Sequence, residues 1–227
     1  MAHRANPSDE IGTKLRRVSP SSLEGGPRTH LSDILCLGNS ESRSRGSLFH
    51  KWFEQIHWLD DGKPGVEQLR TAARGIDVGQ LDLKLEIEQF MTCLEQDNVS
   101  QLLRRSFYLN ADKFRPHADD QASEHLEVRN EQRFAVRDKQ QLLTGVIDRL
   151  VLIYAAGDLL SADIVDFKTD HLFPGDTEQL HKRQAFYEPQ LESYRRAVQR
   201  MFSLPADRTT ARLLFTFSGN HHKTSVS

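Results

Sequence analysis

Two short stretches of the chain hold residue types that can act together on a phosphate. One is Gly145-Val146-Ile147-Asp148-Arg149, and the other is Ile164-Val165-Asp166-Phe167-Lys168-Thr169. Residues two apart on a strand share a face, so Asp166 and Lys168 point the same way and Phe167 points to the opposite layer. If a hairpin brings Asp148 beside Asp166, two carboxylates and one lysine converge. Carboxylates a few ångströms apart repel unless a cation lies between them. Mg²⁺ is held by one or two carboxylates plus waters and phosphate oxygens, which fits this set. Such an ion lowers the pKa of a bound water and polarises a phosphate. Lys168 would orient or deprotonate the water, or offset charge building on phosphorus. Neither stretch is specific alone. An Asp/Lys pair at a strand end is ordinarily a solvated charge pair, and a glycine inside a strand ordinarily marks a bulge or a close approach. Their order, with a turn between them, carries the signal.

The elements that must position these residues fall into two halves. Residues 1–44, rich in Ser, Gly, Pro and Arg, read as a flexible tail or linker, and 45–227 as one domain. Leu48, Phe49, Trp52, Phe53, Ile56 and Leu59 recur at helical spacing over 47–59. Residues 66–74 and 79–106 read as further helices. From 127 the pattern becomes strand-like: 127–136, 142–154 and 159–168, with turns at Asp138-Lys139 and Ala156-Gly157-Asp158, form an antiparallel meander. A loop is expected over 171–183, with room for a short helix. A helix over 188–202 follows, with Pro189 in its first turn, and then a last strand over 212–217. The order predicts an α/β fold, a central mixed sheet flanked by helices after a helical N-terminal half.

Taken together, Gly-x-x-Asp, Asp-Phe-Lys-Thr, and then Gln190-Leu191 and Tyr194 resemble the signature of PD-(D/E)XK nucleases. The nearest resemblance is to the nuclease module of RecB/AddA helicase–nucleases. Gly46-Ser47-Leu48-Phe49-His50 resembles the Gly-x-x-x-His element of that group. Glu131, followed by Phe134, resembles its acidic residue ahead of the first motif strand, and Ser19-Pro20-Ser21-Ser22-Leu23 its lead-in. The resemblance implies a restriction-endonuclease-like core and Mg²⁺-dependent hydrolysis of DNA, with Mn²⁺ as a substitute. It implies that Asp148 and Asp166 bind the metal, with His50 and the Phe167 carbonyl as further ligands. Lys168 is then the catalytic lysine, and Gln190 and Tyr194 support the site or contact DNA. The implied substrate is a DNA end or single strand, and the implied partner a helicase subunit or linked helicase domain. The chain carries no Gly-x-x-x-x-Gly-Lys-Ser/Thr loop, so it holds no motor of its own.

Composition narrows the alternatives. The 227 residues, 37% hydrophobic and 27% charged, suffice for a core without disulfides. No apolar run reaches a membrane span, and the start has no signal-peptide core, so a cytoplasmic protein is expected. Two cysteines, Cys36 and Cys93, cannot make a four-thiolate iron–sulfur cluster. The net charge of −2 leaves any DNA contact to local basic strips. Arg129, Arg133 and Arg137 alternate along one strand and either face DNA or guard the sheet. Lys182, Arg183, Arg195, Arg196 and Arg200 form either a phosphate-binding strip or a solvated helix face. His221-His222 reads as an exposed pair without a third ligand. Two alternatives stay open: a catalytically inactive DNA-binding or scaffold module on the same fold, and an unrelated interaction domain with Asp148 far from Asp166.

Overall fold

In a computed structural model of the chain, residues 16–25, 40–110, 124–170, 172–173, 175–216 and 220–223 are described. The fold is α/β, with a mixed sheet between two helical layers. Strand β1 is Arg16–Val18, followed by a 3₁₀ turn at Pro20–Leu23. Helices α1 (Ser40–Phe53), α2 (Val66–Ala72), α3 (Leu83–Glu95), α4 (Asp97–Leu102) and α5 (Arg105–Leu109) come next. Then follow β2 (Glu124–Asp138), β3 (Gln141–Ala155), β4 (Asp158–Lys168), α6 (Thr177–Phe202), β5 (Thr209–Phe215) and β6 (Asn220–Lys223).

The meander forms as its pattern requires. Ala156 (φ 52°) and Gly157 (φ 91°) both take the left-handed conformations of a tight hairpin turn between β3 and β4. β5 adds parallel to β4, and β6 adds antiparallel to β5. α6 covers one face, with Leu191, Tyr194, Ala197 and Val198 packed on Leu150, Ile164 and Leu213. The other face carries α1–α4, where Phe49, Trp52, Phe53 and Phe90 meet Val165, Phe167 and Leu214.

Several elements depart from their expected bounds. Residues 16–25, read as tail, supply β1 and the 3₁₀ turn; Val18 and Pro20 are buried. A three-residue strand is too short for alternation to show, and Pro20 suits the first position of the turn. The rest of that stretch up to 39 lies outside the described residues. The helix expected over 79–106 is three helices. Asp82 caps the first, accepting from Lys84 N and Leu85 N, and the extended backbones of Gln96 and Arg104 break the run. α6 starts at Thr177 rather than 188. Asp176 Oδ1 caps it through Gln179 N (2.9 Å), so Pro189 lies mid-helix and the expected loop shortens. His221 and His222 lie on β6, backbone-paired to β5, instead of in a free tail.

One feature of the sheet decides where chemistry can occur. β2 pairs β3 along one edge from Gln141 to Ala155. The opposite edge of β3 is shared. β4 pairs with it at 149–155 and β1 pairs with it, parallel, at 141–143. Between them, residues 144–148 of β3 face a fork, and Asp148 sits at its apex.

Candidate active site

Gly145 stands in the fork because the 3₁₀ turn packs onto it. A Cβ there would lie 2.9 Å from Pro20 Cδ and 3.0 Å from Phe134 Cζ. Three residues on, alternation slips. Leu143 and Ile147 pack toward α6, but so do Leu150 and Leu152. Asp148 and Arg149 therefore both lie on the α1 side. Arg149 donates to the carbonyls of Ile56 (2.8 Å) and His57 (2.6 Å). The partner strand slips at the matching place. Asn130 bonds Glu54 O and Ile56 O on the α1 side, while Phe134 packs toward α6. Between them Glu131 is held at φ 51°, a left-handed conformation that costs about 1 kcal/mol or more for a non-glycine residue. Asn130↔Arg149 and Gln132↔Ile147 flank it, which sets Glu131 across from Asp148.

On the α1 side, His50 follows the buried Leu48 and Phe49 and meets the fork. Its Nδ1 is 3.3 Å from Asp148 Oδ1. The other carboxylate oxygen, Oδ2, accepts from Phe167 N at 2.8 Å, where β4 leaves β3. The Phe167 ring stacks on Phe53 at 3.9 Å and 6°, which fixes this stretch of β4 against α1. His50, Glu131 and Asp148 each offer a ligand atom within 4.8 Å of the others. One imidazole and two carboxylates suit a divalent cation that prefers oxygen and nitrogen donors.

Asp166 and Lys168 share the α6 face of β4, as the strand period requires. Lys168 Nζ lies 2.9 Å from Asp166 Oδ2 and donates to Gln190 Oε1 at 2.9 Å. Gln190 Nε2 in turn donates to Tyr194 OH at 3.3 Å, one helical turn along α6. So Asp148, Asp166, Lys168, Gln190 and Tyr194 are brought to one place. Asp166 belongs to the lysine's side of it and is not in the His50–Glu131–Asp148 group. Of Phe167, it is the amide N–H that engages the site directly.

Two further residues escaped sequence reasoning. Glu24 Oε1 lies 3.9 Å from Lys168 Nζ, and Lys168 sits 4.3 Å from the centroid of the Tyr187 ring. Tyr187 OH donates to Asp170 Oδ2 at 3.0 Å. Glu24 was hidden in a stretch with no apolar period. Tyr187 stands three residues before Gln190 on a helix that extends further upstream than expected.

The charges are strongly coupled. Burial disfavours a charged His50, yet the Asp148 carboxylate and, beyond it, Asp166 lift its pKa to about 9. Burial likewise opposes ionised Asp148, but His50, Lys168 and the Phe167 N–H hold its pKa below the ordinary value. Asp166 is pushed up to about 7, by burial first; Lys168 opposes the rise and Asp148 adds to it. Glu131 is raised by burial and by Asp148. Burial disfavours the Lys168 ammonium, while Asp166, Asp148 and Glu24 raise its pKa.

The basic helix strip is largely neutralised within the fold. Lys182 pairs with Glu178, Arg183 with Asp170, Arg195 with Glu192, and Arg196 and Arg200 with Asp138. Among the described residues, no helix is long and apolar enough to cross a membrane.

The sequence model of the PD-(D/E)XK nuclease superfamily matches residues 19–226. No curated protein matches the chain.

Proposed function

The chain belongs to the PD-(D/E)XK nuclease superfamily, and on that premise we propose that it hydrolyses DNA phosphodiesters with Mg²⁺, Mn²⁺ substituting. The observation that carries this reading is the fork. It sets Asp148 of β3 3.3 Å from His50 of α1, beside an Asp166–Lys168 pair at 2.9 Å on the neighbouring strand β4 of the matched domain.

His50, Glu131 and Asp148 would hold the cation, with Asp166 and the Phe167 carbonyl completing its shell. A divalent ion there supplies a water of lowered pKa and polarises the phosphate. The chain's own groups do the rest. Lys168 is fixed by Asp166 and Gln190, which spares it rotamer freedom. Its raised pKa suits it to serve as a cation facing the phosphate rather than as a base. Tyr194 holds Gln190, and Gln190 holds the lysine. The phosphorus–oxygen bond to the leaving strand breaks as the water oxygen bonds to phosphorus; the water gives up one proton to solvent and the leaving oxygen takes one up from solvent.

Within the superfamily, the Gly46-to-His50 element, Asp-Phe-Lys-Thr and the Gln190/Tyr194 pair favour an exonuclease module of the RecB/AddA type. Such a module processes DNA ends or single strands delivered by a helicase subunit or domain, in the cytoplasm. Residues 16–25 would then belong to the nuclease unit. The experiment is cleavage of linear and circular DNA with Mg²⁺, with Ca²⁺ and with chelator. Degradation of linear DNA in Mg²⁺, little with Ca²⁺ and none in chelator, is expected; full activity in chelator would sink the reading.

A further inference from the structure

The slip in β2 sorts its three alternating arginines. Arg129 lies on the α6 side, with its guanidinium 5.5 Å from the Phe202 ring centroid and 2.7 Å from Glu127. Beyond Glu131 the faces are exchanged. Phe134 and Val136 turn toward α6, so Arg133, Ala135 and Arg137 turn to the face that carries Glu131; all three are exposed. The register extends this face across the sheet. Arg133 stands opposite Val146, Ala135 opposite Thr144 and Arg137 opposite Leu142. On the other edge Arg17 also stands beside Leu142, and its Nε donates to Thr144 Oγ1 at 3.0 Å. Arg17 and Arg137 therefore flank Leu142 on one surface.

This surface runs without interruption into the fork. Along β2, Arg133 lies about 7 Å from Glu131 and Arg137 about 14 Å further on, at about 3.4 Å per residue. Arg17 lies two strand spacings from Arg137, about 10 Å across the sheet. Unlike Arg129 and the arginines of α6, these three form no ion pair with a described carboxylate. Arg137 Nε donates only to a backbone carbonyl, that of Lys139 (3.2 Å). The strip thus keeps its positive charge, whereas the arginines of α6 are paired with carboxylates.

We infer that Arg133, Arg137 and Arg17 form a phosphate track for one strand of nucleic acid, leading to His50, Glu131 and Asp148. This rests on the nuclease reading and adds to it the path of the substrate. Arg133 and Arg137 are four residues apart, about 14 Å and roughly twice the separation of successive phosphates, so one backbone can lie along β2 and meet them at every second phosphate. Beyond Arg133 the strip spans only the two strand spacings from Arg137 to Arg17, about 10 Å, a width that suits one strand and is less than the breadth of a duplex. The contacts are to phosphate, so they fix register and carry no sequence preference.

The test is binding of a fluorescent mixed-sequence 20-nucleotide single strand to the full chain in chelator, titrated over salt. Each phosphate contact contributes about 0.7 to the slope of log K against log salt for a single strand. Arg17→Ala, Arg133→Ala and Arg137→Ala should each lower the slope by about that much, and the triple variant by about 2. Arg129→Ala, on the opposite face, should leave it unchanged. Arg133→Glu serves as a second probe on an exposed side chain where the fold is not at risk. An unchanged slope in the triple variant, an equal loss in Arg129→Ala, or equal competition by a blunt duplex would overturn the track. Binding that depends on these arginines, in a chain that cleaves nothing with Mg²⁺, would keep the track and sink the nuclease reading. Cleavage with arginine-independent binding would do the reverse.

Discussion

His50 Nδ1 and Asp148 Oδ1 stand 3.3 Å apart, although 97 residues lie between them in the chain and one comes from a helix, the other from a strand. The contact exists because α1 buries Leu48, Phe49, Trp52 and Phe53 against β4, leaving His50 at the rim of that interface. If the two share a cation, His50→Ala should raise the Mg²⁺ concentration for half-maximal rate by about tenfold or more, as loss of a ligand or its orienting partner does. The check is a metal titration of both folded proteins. An unchanged half-saturation point would make His50 structural.

The same pair sets a pH dependence. Sequence alone places loss of a histidine ligand near its ordinary value of about 6.5, but Asp148 moves His50 to about 9. In the cation-free chain, His50 thus adds stability that is complete below about 6.5 and lost as pH rises through about 9. Asp166, raised from 3.8 to about 7, costs stability as pH rises through that range. Stability of the cation-free protein therefore falls with rising pH, through Asp166 up to about pH 7 and through His50 from about 6.5 to about 9. Mg²⁺ should displace these protons, so its affinity should climb over the same window, with proton release on binding. Thermal melts with chelator and with Mg²⁺ across this range check the sign. A cation-free melting temperature that rises between pH 6 and 9 would contradict it.

Glu24 approaches Lys168 to 3.9 Å from the segment that precedes the helical half. Glu24→Gln should lower kcat by roughly tenfold with KM little changed, and Glu24→Asp should recover part of the loss, because the lysine's positioning and charge are affected but DNA contact is not. Steady-state kinetics on a short oligonucleotide make the comparison. A purely raised KM would assign Glu24 to substrate binding instead.

Gly145→Ala should destabilise the fold by about 1–3 kcal/mol, since its Cβ would meet Pro20 and Phe134. Denaturant unfolding measures this. A stability unchanged within error would mean that the 3₁₀ turn can move away at little cost.

Much of this was legible in the residues. The meander, its two turns and the common face of Asp166 and Lys168 follow from period-two patterning and Ala156-Gly157. The helical stripe of α1 follows from its apolar spacing. What was not legible has physical reasons. A paired slip in β2 and β3 leaves no mark on composition, yet it turns Asp148 toward His50 and separates Arg129 from Arg133 and Arg137. β1 is too short to show a pattern, and its partner is remote. The start of α6 depends on the Asp176 cap, which sits in a stretch that reads as loop.

The most direct test of the central claim is Mg²⁺-dependent cleavage by the wild-type chain beside Asp166→Asn and Lys168→Ala, with folding checked by thermal melts. The account predicts that wild type degrades linear DNA and that each variant, still folded, loses at least about a hundredfold in rate, as removal of a transition-state charge partner does. Folded variants that cleave at the wild-type rate would contradict it.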